Sequence, residues 1–192
     1  RSMNADRIRT AMTAVDRRGF LPRGARRHAG VDAPLSIGHG QTNSQPYTVA
    51  GMLELLCVHS PHRVLDVGAG SGWTTALLAH LAAPDGQVTA VEIVPELVRF
   101  GQDNLDAAGV DVTVEQAADG VLGLPGRGPF DRILVSAEAA DLPADLVDQL
   151  APGGVMVIPV DGTMLRVVRQ ADGVEISRHG RYRFVPLLRT RD

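Results

Sequence analysis

Hydrophobic positions change period several times along the chain. Ile8, Met12 and Val15 recur at helical spacing with Arg and Asp between them, which predicts a helix over residues 4–18 ended by Gly19 and Pro22. Residues 23–45 carry Gly, Pro, Arg and Ser without a period and are expected to form a loop region. Pro46 suits a first helical turn, and Val49, Met52, Leu53 and Leu56 give that helix an apolar face. From Arg63 onward short apolar runs alternate with helical patterns. Strands are predicted at 64–67, 88–93, 112–115, 130–135 and 155–160. Helices are predicted at 74–81, at 95–108 with Gly109 as its stop, and at 143–150 with Pro152-Gly153-Gly154 as its stop.

Strand alternating with helix implies right-handed βαβ units and a mostly parallel, doubly wound α/β sheet. After residue 162, Leu165-Arg166-Val167-Val168-Arg169, the turn Ala171-Asp172-Gly173 and Val174-Glu175-Ile176 predict a closing antiparallel hairpin. With 192 residues, one domain is expected, with 4–58 as a helical and loop cap and 59–192 as a Rossmann-like core. Arg1-Ser2 ahead of Met3 is set aside as a cloning remnant.

Composition narrows the classes. A hydrophobic fraction of 44% with 21% charged residues is ordinary for a folded domain. A net charge of −3 lacks the basic excess of a general nucleic-acid binder. No apolar run approaches the ~20 residues of a membrane span, and no signal-peptide core is visible, so a cytoplasmic protein without a membrane partner is expected. The single cysteine, Cys57, excludes an internal disulfide and a cysteine-only metal cage; it reads as a small buried hydrophobe, and no metal is expected.

The strongest local signal is Asp66-Val67-Gly68-Ala69-Gly70-Ser71-Gly72, between a strand and a helix. Glycines there let the backbone turn tightly and approach a ligand. A dinucleotide loop reads G-x-G-x-x-G, whereas this one reads G-x-G-x-G and has Trp73 where the last dinucleotide glycine would stand. A methionine tail has no pyrophosphate to accommodate. Asp66 would repel a phosphate but suits a cationic amino group. Glu92, roughly 20 residues beyond Gly72, is placed to accept hydrogen bonds from a ribose diol. Asp119-Gly120, after the third strand, is placed to receive an adenine amino group. Acceptors at the carboxyl ends of three successive strands indicate S-adenosylmethionine, with Asp66, Gly68, Gly70, Gly72, Glu92, Asp119 and Gly120 as its candidate contacts. Trp73 is expected to pack at the helix start rather than stack on adenine.

These residues, with others, resemble the protein-L-isoaspartate (D-aspartate) O-methyltransferase family. Arg18-Gly19-Phe20-Leu21-Pro22 is similar to its early Arg…Phe-Val-Pro element. Pro34-Leu35-Ser36-Ile37-Gly38-His39-Gly40-Gln41-Thr42-Asn43-Ser44-Gln45-Pro46 resembles its signature Pro-Leu-Pro-Ile-Gly-x-Gly-Gln-Thr-Ile-Ser-x-Pro. Pro129 to Ala137, Leu150 to Gly154, Val157 to Val160 and Phe184 to Leu187 resemble later elements, so the likeness runs over nearly the whole chain. It implies a Rossmann-like class I methyltransferase fold; a monomer is expected. It also implies transfer of a methyl group to the free α-carboxylate of an isoaspartyl residue in a damaged protein. The ester then closes to a succinimide without the enzyme, and hydrolysis returns some normal aspartate.

A carboxylate, with a reference pKa near ~4, is already the nucleophile at pH 7 and needs no general base. Charge is lost as sulfonium and carboxylate neutralise each other, so neutral donors suit the acceptor better than cations. The resemblance places the Ser44 hydroxyl there, with Thr42 nearby, as candidate catalytic residues; Thr42, Asn43, Ser44 and Ser136 are the candidate substrate contacts. Ser44 also reads as a helix cap before Pro46. Asn43 stands where the family usually has Ile and needs polar partners if buried. Glu138 stands where the family has a small residue, and Asp161-Gly162-Thr163-Met164-Leu165 is shorter than the family's loop and lacks its Gln. Two other readings stay open: a relative that methylates an aspartyl residue in a dedicated natural-product precursor peptide, and a module that binds S-adenosylmethionine without transfer.

Overall fold

The computed structural model describes residues 2–191. Helix α1 (Met3–Ala14) starts at Ser2, whose hydroxyl accepts from the Ala5 amide at 3.2 Å. The residue set aside as a remnant is thus the cap. The helix also stops earlier than its periodicity implies, because Asp16 caps a separate 3-10 turn, Arg17–Phe20.

The aperiodic 23–45 stretch is ordered. It holds a second 3-10 turn, Arg23–His28, and then a hairpin of β1 (Leu35–Gly38) and β2 (Gln41–Asn43). Gly38, His39 and Gly40 all take positive φ, +87°, +56° and +70°, in the tight reversal between them. Helix α2 (Pro46–Leu56) follows, with Pro46 in its first turn. Cys57 closes it in a left-handed conformation and is half-buried rather than a core hydrophobe.

The remainder alternates as expected: β3 (Arg63–Val67), α3 (Trp73–Ala82), β4 (Gln87–Glu92), α4 (Pro95–Ala107), β5 (Val114–Gln116), β6 (Phe130–Val135), α5 (Ala144–Val147), β7 (Leu150–Val160), β8 (Thr163–Gln170) and β9 (Gly173–Arg181). The seven-stranded sheet has the order β5-β4-β3-β6-β7-β8-β9. It is parallel from β5 to β7, then antiparallel through β8 and β9. The helix expected over 143–150 shrinks to the single turn of α5. Pro152-Gly153-Gly154 lies inside β7, where the pairing with β6 shifts register instead of ending an element.

Side-chain alternation divides the core. Val64 and Leu134 join Leu53, Leu77 and Leu78 under α1, α2 and α3. Leu65, Val67, Ile133 and Val135 face the other side with Phe130 and Leu146. The core also takes in Ile8, Phe20, Val49 and Met52, so the segment expected to be a cap shares the hydrophobic interior. Asp66 falls on the helix side of β3 by the same period, which decides where its carboxylate goes.

Candidate functional site

The cleft opens at the carboxyl ends of the parallel strands, where the chain order reverses on either side of β3 and β6. Val67 to Ser71 form its floor. Val91, Glu92 and Ile93 form one side, with Ala117 and Val121 to Gly123 beyond them. Ser136, Ala137 and Val185 to Leu188 face them, and Gln41 to Ser44 reach in from β2. The lining therefore joins the glycine loop to the segment that carries the resemblance, although the two lie far apart in sequence.

The glycines divide their work. Gly68 has φ +81°, and a Cβ there would meet no protein atom within 4 Å, so its backbone is bare toward the cleft. Gly72 does not line the cleft. A Cβ on it would lie 3.0 Å from the Gly101 carbonyl and 3.1 Å from Leu105, so this glycine lets α4 pack closely.

Glu92 is buried at the cleft wall. Its carboxylate accepts from the Gly70 amide through Oε1 and from the Val94 amide through Oε2, both at 2.9 Å. Burial pushes this carboxyl upward, and the backbone amides of Val94, Gly70 and Ile93 oppose the shift.

Asp66 is fully buried and does not line the cleft. Its Oδ2 accepts from the Thr74 and Thr75 hydroxyls, each at 2.8 Å, and Oδ1 has no hydrogen-bond partner. The carboxylate expected to meet a cationic amino group instead ties the glycine loop to the first turn of α3. Burial pushes its pKa up to about 6 from 3.8, against the two hydroxyls and with help from the Glu92 charge. A raised folded-state pKa stabilises the fold below the unfolded value, and that stabilisation is lost as pH rises to the folded value. The loss is about 3 kcal/mol between pH 3.8 and about 6. Urea unfolding across this window is expected to show wild type losing stability relative to Asp66→Asn as pH rises, with a constant difference above. Parallel curves would remove the assignment.

Asp119 lies between lining residues, but its side chain is exposed and sits 3.9 Å from Arg191. Gly120 donates its amide to the Arg189 carbonyl at 2.7 Å. Neither lines the cleft; the surface near it is apolar, from Ile93, Ala117 and Leu122. Trp73 packs as expected: it is buried and lies under Arg17, with the guanidinium carbon 5.5 Å from the ring centroid.

On the other side, Asn43 is buried and both ends of its amide are used. Oδ1 accepts from Arg17 Nε at 2.6 Å, and Nδ2 donates to Ser71 Oγ at 3.0 Å. Ser44 and Thr42, on either side of it, line the cleft with Ser136. Ser44 is not a cap: the N-cap of α2 is Gln45, which makes no side-chain capping bond, and the Tyr47 amide is taken by Asp32 at 2.9 Å. Glu138 stands behind the wall. Its carboxylate accepts from Gly162 and its backbone pairs with Val185 and Leu187, so it braces the segment that lines the cleft.

Sequence reasoning missed Arg17. The resemblance drew attention to Arg18, which is exposed. Arg17 is 5% exposed and donates to the carbonyls of Ala29, Val31, Ala33, Asn43 and Ser44 as well as to the Asn43 side chain. Burial lowers its pKa, and Asp32 opposes that. A residue whose partners are backbone carbonyls leaves no partner motif to find.

The whole chain, residues 1–192, matches the family model described as protein-L-isoaspartate(D-aspartate) O-methyltransferase. A Methanopyrus kandleri protein named protein-L-isoaspartate O-methyltransferase is 46% identical over 192 residues, covering 97% of this chain and 85% of that protein. One from Marinobacter nauticus, named protein-L-isoaspartate O-methyltransferase 2, is 45% identical, covering 98% and 87%. Among solved structures, a Plasmodium falciparum protein-L-isoaspartate O-methyltransferase in complex with S-adenosyl-L-homocysteine superimposes with a TM-score of 0.84 at 26% identity, covering 96% of this chain and 91% of that one.

Proposed function

Because the chain belongs to the protein-L-isoaspartate (D-aspartate) O-methyltransferase family, we propose a division of labour in its cleft: Glu92 and the glycine loop hold S-adenosylmethionine, and Ser44, Thr42 and Ser136 receive the acceptor. The activity is S-adenosylmethionine-dependent methylation of isoaspartyl carboxylates in proteins. When bound, the cofactor supplies a methyl group on a positively charged sulfur.

The observation that carries the assignment is the juxtaposition of Ser44 with Gly68 to Ser71 and Glu92 in one lining. The bare backbone at Gly68 leaves room for close approach. Glu92 is preorganised by two amides, and its remaining lone pairs suit a ribose diol. Ser44, Thr42 and Ser136 supply neutral hydroxyls, which orient a carboxylate without the strong cation that would hold its charge back from reaction. The nearest buried cation, Arg17, is fully engaged by carbonyls and Asn43, so it takes no part at the acceptor. The acceptor is accordingly a protein or peptide that carries an isoaspartyl residue. Among the described residues no helix is long and apolar enough to cross a membrane.

Methyl transfer to an isoaspartyl peptide and to its normal aspartyl twin tests the substrate. Equal rates would favour a dedicated aspartyl peptide instead. Ser44→Ala is expected to lower turnover roughly ten- to a hundredfold, the worth of a hydroxyl bond to a charged group, with S-adenosylhomocysteine affinity unchanged. An unaltered rate would remove Ser44 from the acceptor site.

A further inference from the structure

Asn43 sits where three segments meet: the N-terminal 3-10 turn through Arg17, the acceptor segment 41–44 to which it belongs, and the glycine loop through Ser71. The polarity of this junction has one solution. A guanidinium has only donors, so Asn43 must turn its oxygen to Arg17. Its NH2 then faces Ser71, whose oxygen accepts. Both ends of the amide are thereby engaged within the chain, which fixes the side chain's orientation.

The junction continues on both sides. Ser71 follows Gly70, whose amide is held by Glu92, and its carbonyl accepts from Asn104 on α4 at 3.0 Å. Arg17 grips the carbonyls of Asn43 and Ser44, which sets the backbone carrying the Ser44 hydroxyl. A buried polar chain therefore runs from Glu92 and the glycine loop to the acceptor segment. Such chains are costly to break at one link, because the groups left behind are desolvated and unpaired.

We propose that Asn43 is a positioning residue that couples occupancy of the glycine loop to the order of residues 41–44, so that cofactor and acceptor bind cooperatively. This rests on the division of the cleft given above. A ligand that fixes Glu92 and Gly70 fixes Ser71. Ser71 holds Asn43, and the hydroxyls on either side of it stay in place. By linkage the acceptor must favour cofactor binding by the same factor.

Amide hydrogen exchange of residues 41–44, with and without S-adenosylhomocysteine, tests the coupling. In wild type, bound S-adenosylhomocysteine is expected to slow exchange there by roughly fivefold or more. Ser71→Ala deletes the link while leaving Asn43 on Arg17. At S-adenosylhomocysteine concentrations that saturate the variant, it is expected to lose this slowing and to raise the KM for an isoaspartyl peptide roughly fivefold. Asn43→Leu serves as the second variant and should lose the slowing too. If Ser71→Ala retains the wild-type slowing, residues 41–44 respond through direct ligand contact and the coupling is wrong. A wild type that shows the slowing yet methylates no isoaspartyl peptide overturns the functional reading and keeps the coupling. A wild type that does not bind S-adenosylhomocysteine overturns both.

Discussion

Replacing Arg17 by Ala is expected to lower the thermal midpoint by roughly 10 °C. The substitution strands the Asn43 oxygen and the carbonyls of Val31 and Ala33, each within 2.9 Å of a guanidinium nitrogen. Breaking a buried charged network at one partner costs about 3–5 kcal/mol. At roughly 2–4 °C per kcal/mol for a chain of this size, the shift follows. Arg17→Lys should rescue little, since one ammonium cannot fork to carbonyls on several segments. Arg18→Ala, one position along and exposed, should melt within about 1–2 °C of wild type. Calorimetry of the three variants checks this. Equal midpoints for Arg17→Ala and Arg18→Ala would show that the N-terminal segment is held by its apolar contacts alone.

Replacing Glu92 by Ala is expected to weaken S-adenosylhomocysteine binding roughly a hundredfold or more. Two charge-assisted bonds to a ribose are each worth about 1.5–3 kcal/mol. The variant also frees the Gly70 and Val94 amides, which the carboxylate now orients. Glu92→Gln keeps one acceptor oxygen but turns an NH2 toward one of those amides, so it should fall between the two. Titration calorimetry gives the ratios. An Ala variant within threefold of wild type would move the ribose away from Glu92. Asp119→Ala makes a useful contrast, because an exposed carboxylate outside the lining should change affinity little.

What could be read from sequence tracks how local its cause is. Strand β6 and helix α4 come out as expected because a buried strand and an amphipathic helix write their period directly into the chain. Gly109 ends α4 as a stop should: the Val110 amide reaches back to the Leu105 carbonyl at 2.9 Å. The β1–β2 hairpin is hidden because strands of four and three residues, each burying one side chain, are too short to write a period into the chain. Pro152-Gly153-Gly154 misled because the same residues that stop a helix also permit a register shift within a strand.

The glycine loop, Glu92 and Ser44 all stand in the cleft lining, and sequence could single them out as candidates because each stands at a fixed offset from a strand or within a specific segment. The different fates of Asp66 and Glu92 were not legible. Both stand in the carboxyl end of a strand, yet one lies beneath the loop against Thr74 and Thr75 and the other beside the cleft. Only the packing of α3 on that face distinguishes them. Asn43 was legible as an oddity, a polar residue in need of partners, while the partners themselves came from segments without a shared motif.

Val185 to Leu188 form one wall of the cleft, and the Glu138 backbone holds Val185 and Leu187 in place. The opposite wall comes from residues near 42. A ribosome therefore has to deliver almost the entire chain before the cleft can close around a nucleoside. During synthesis the N-terminal helices and the parallel strands must find each other without help from ligand binding. Cellular S-adenosylmethionine can stabilise the finished enzyme by mass action, but it cannot act as a template for the nascent one.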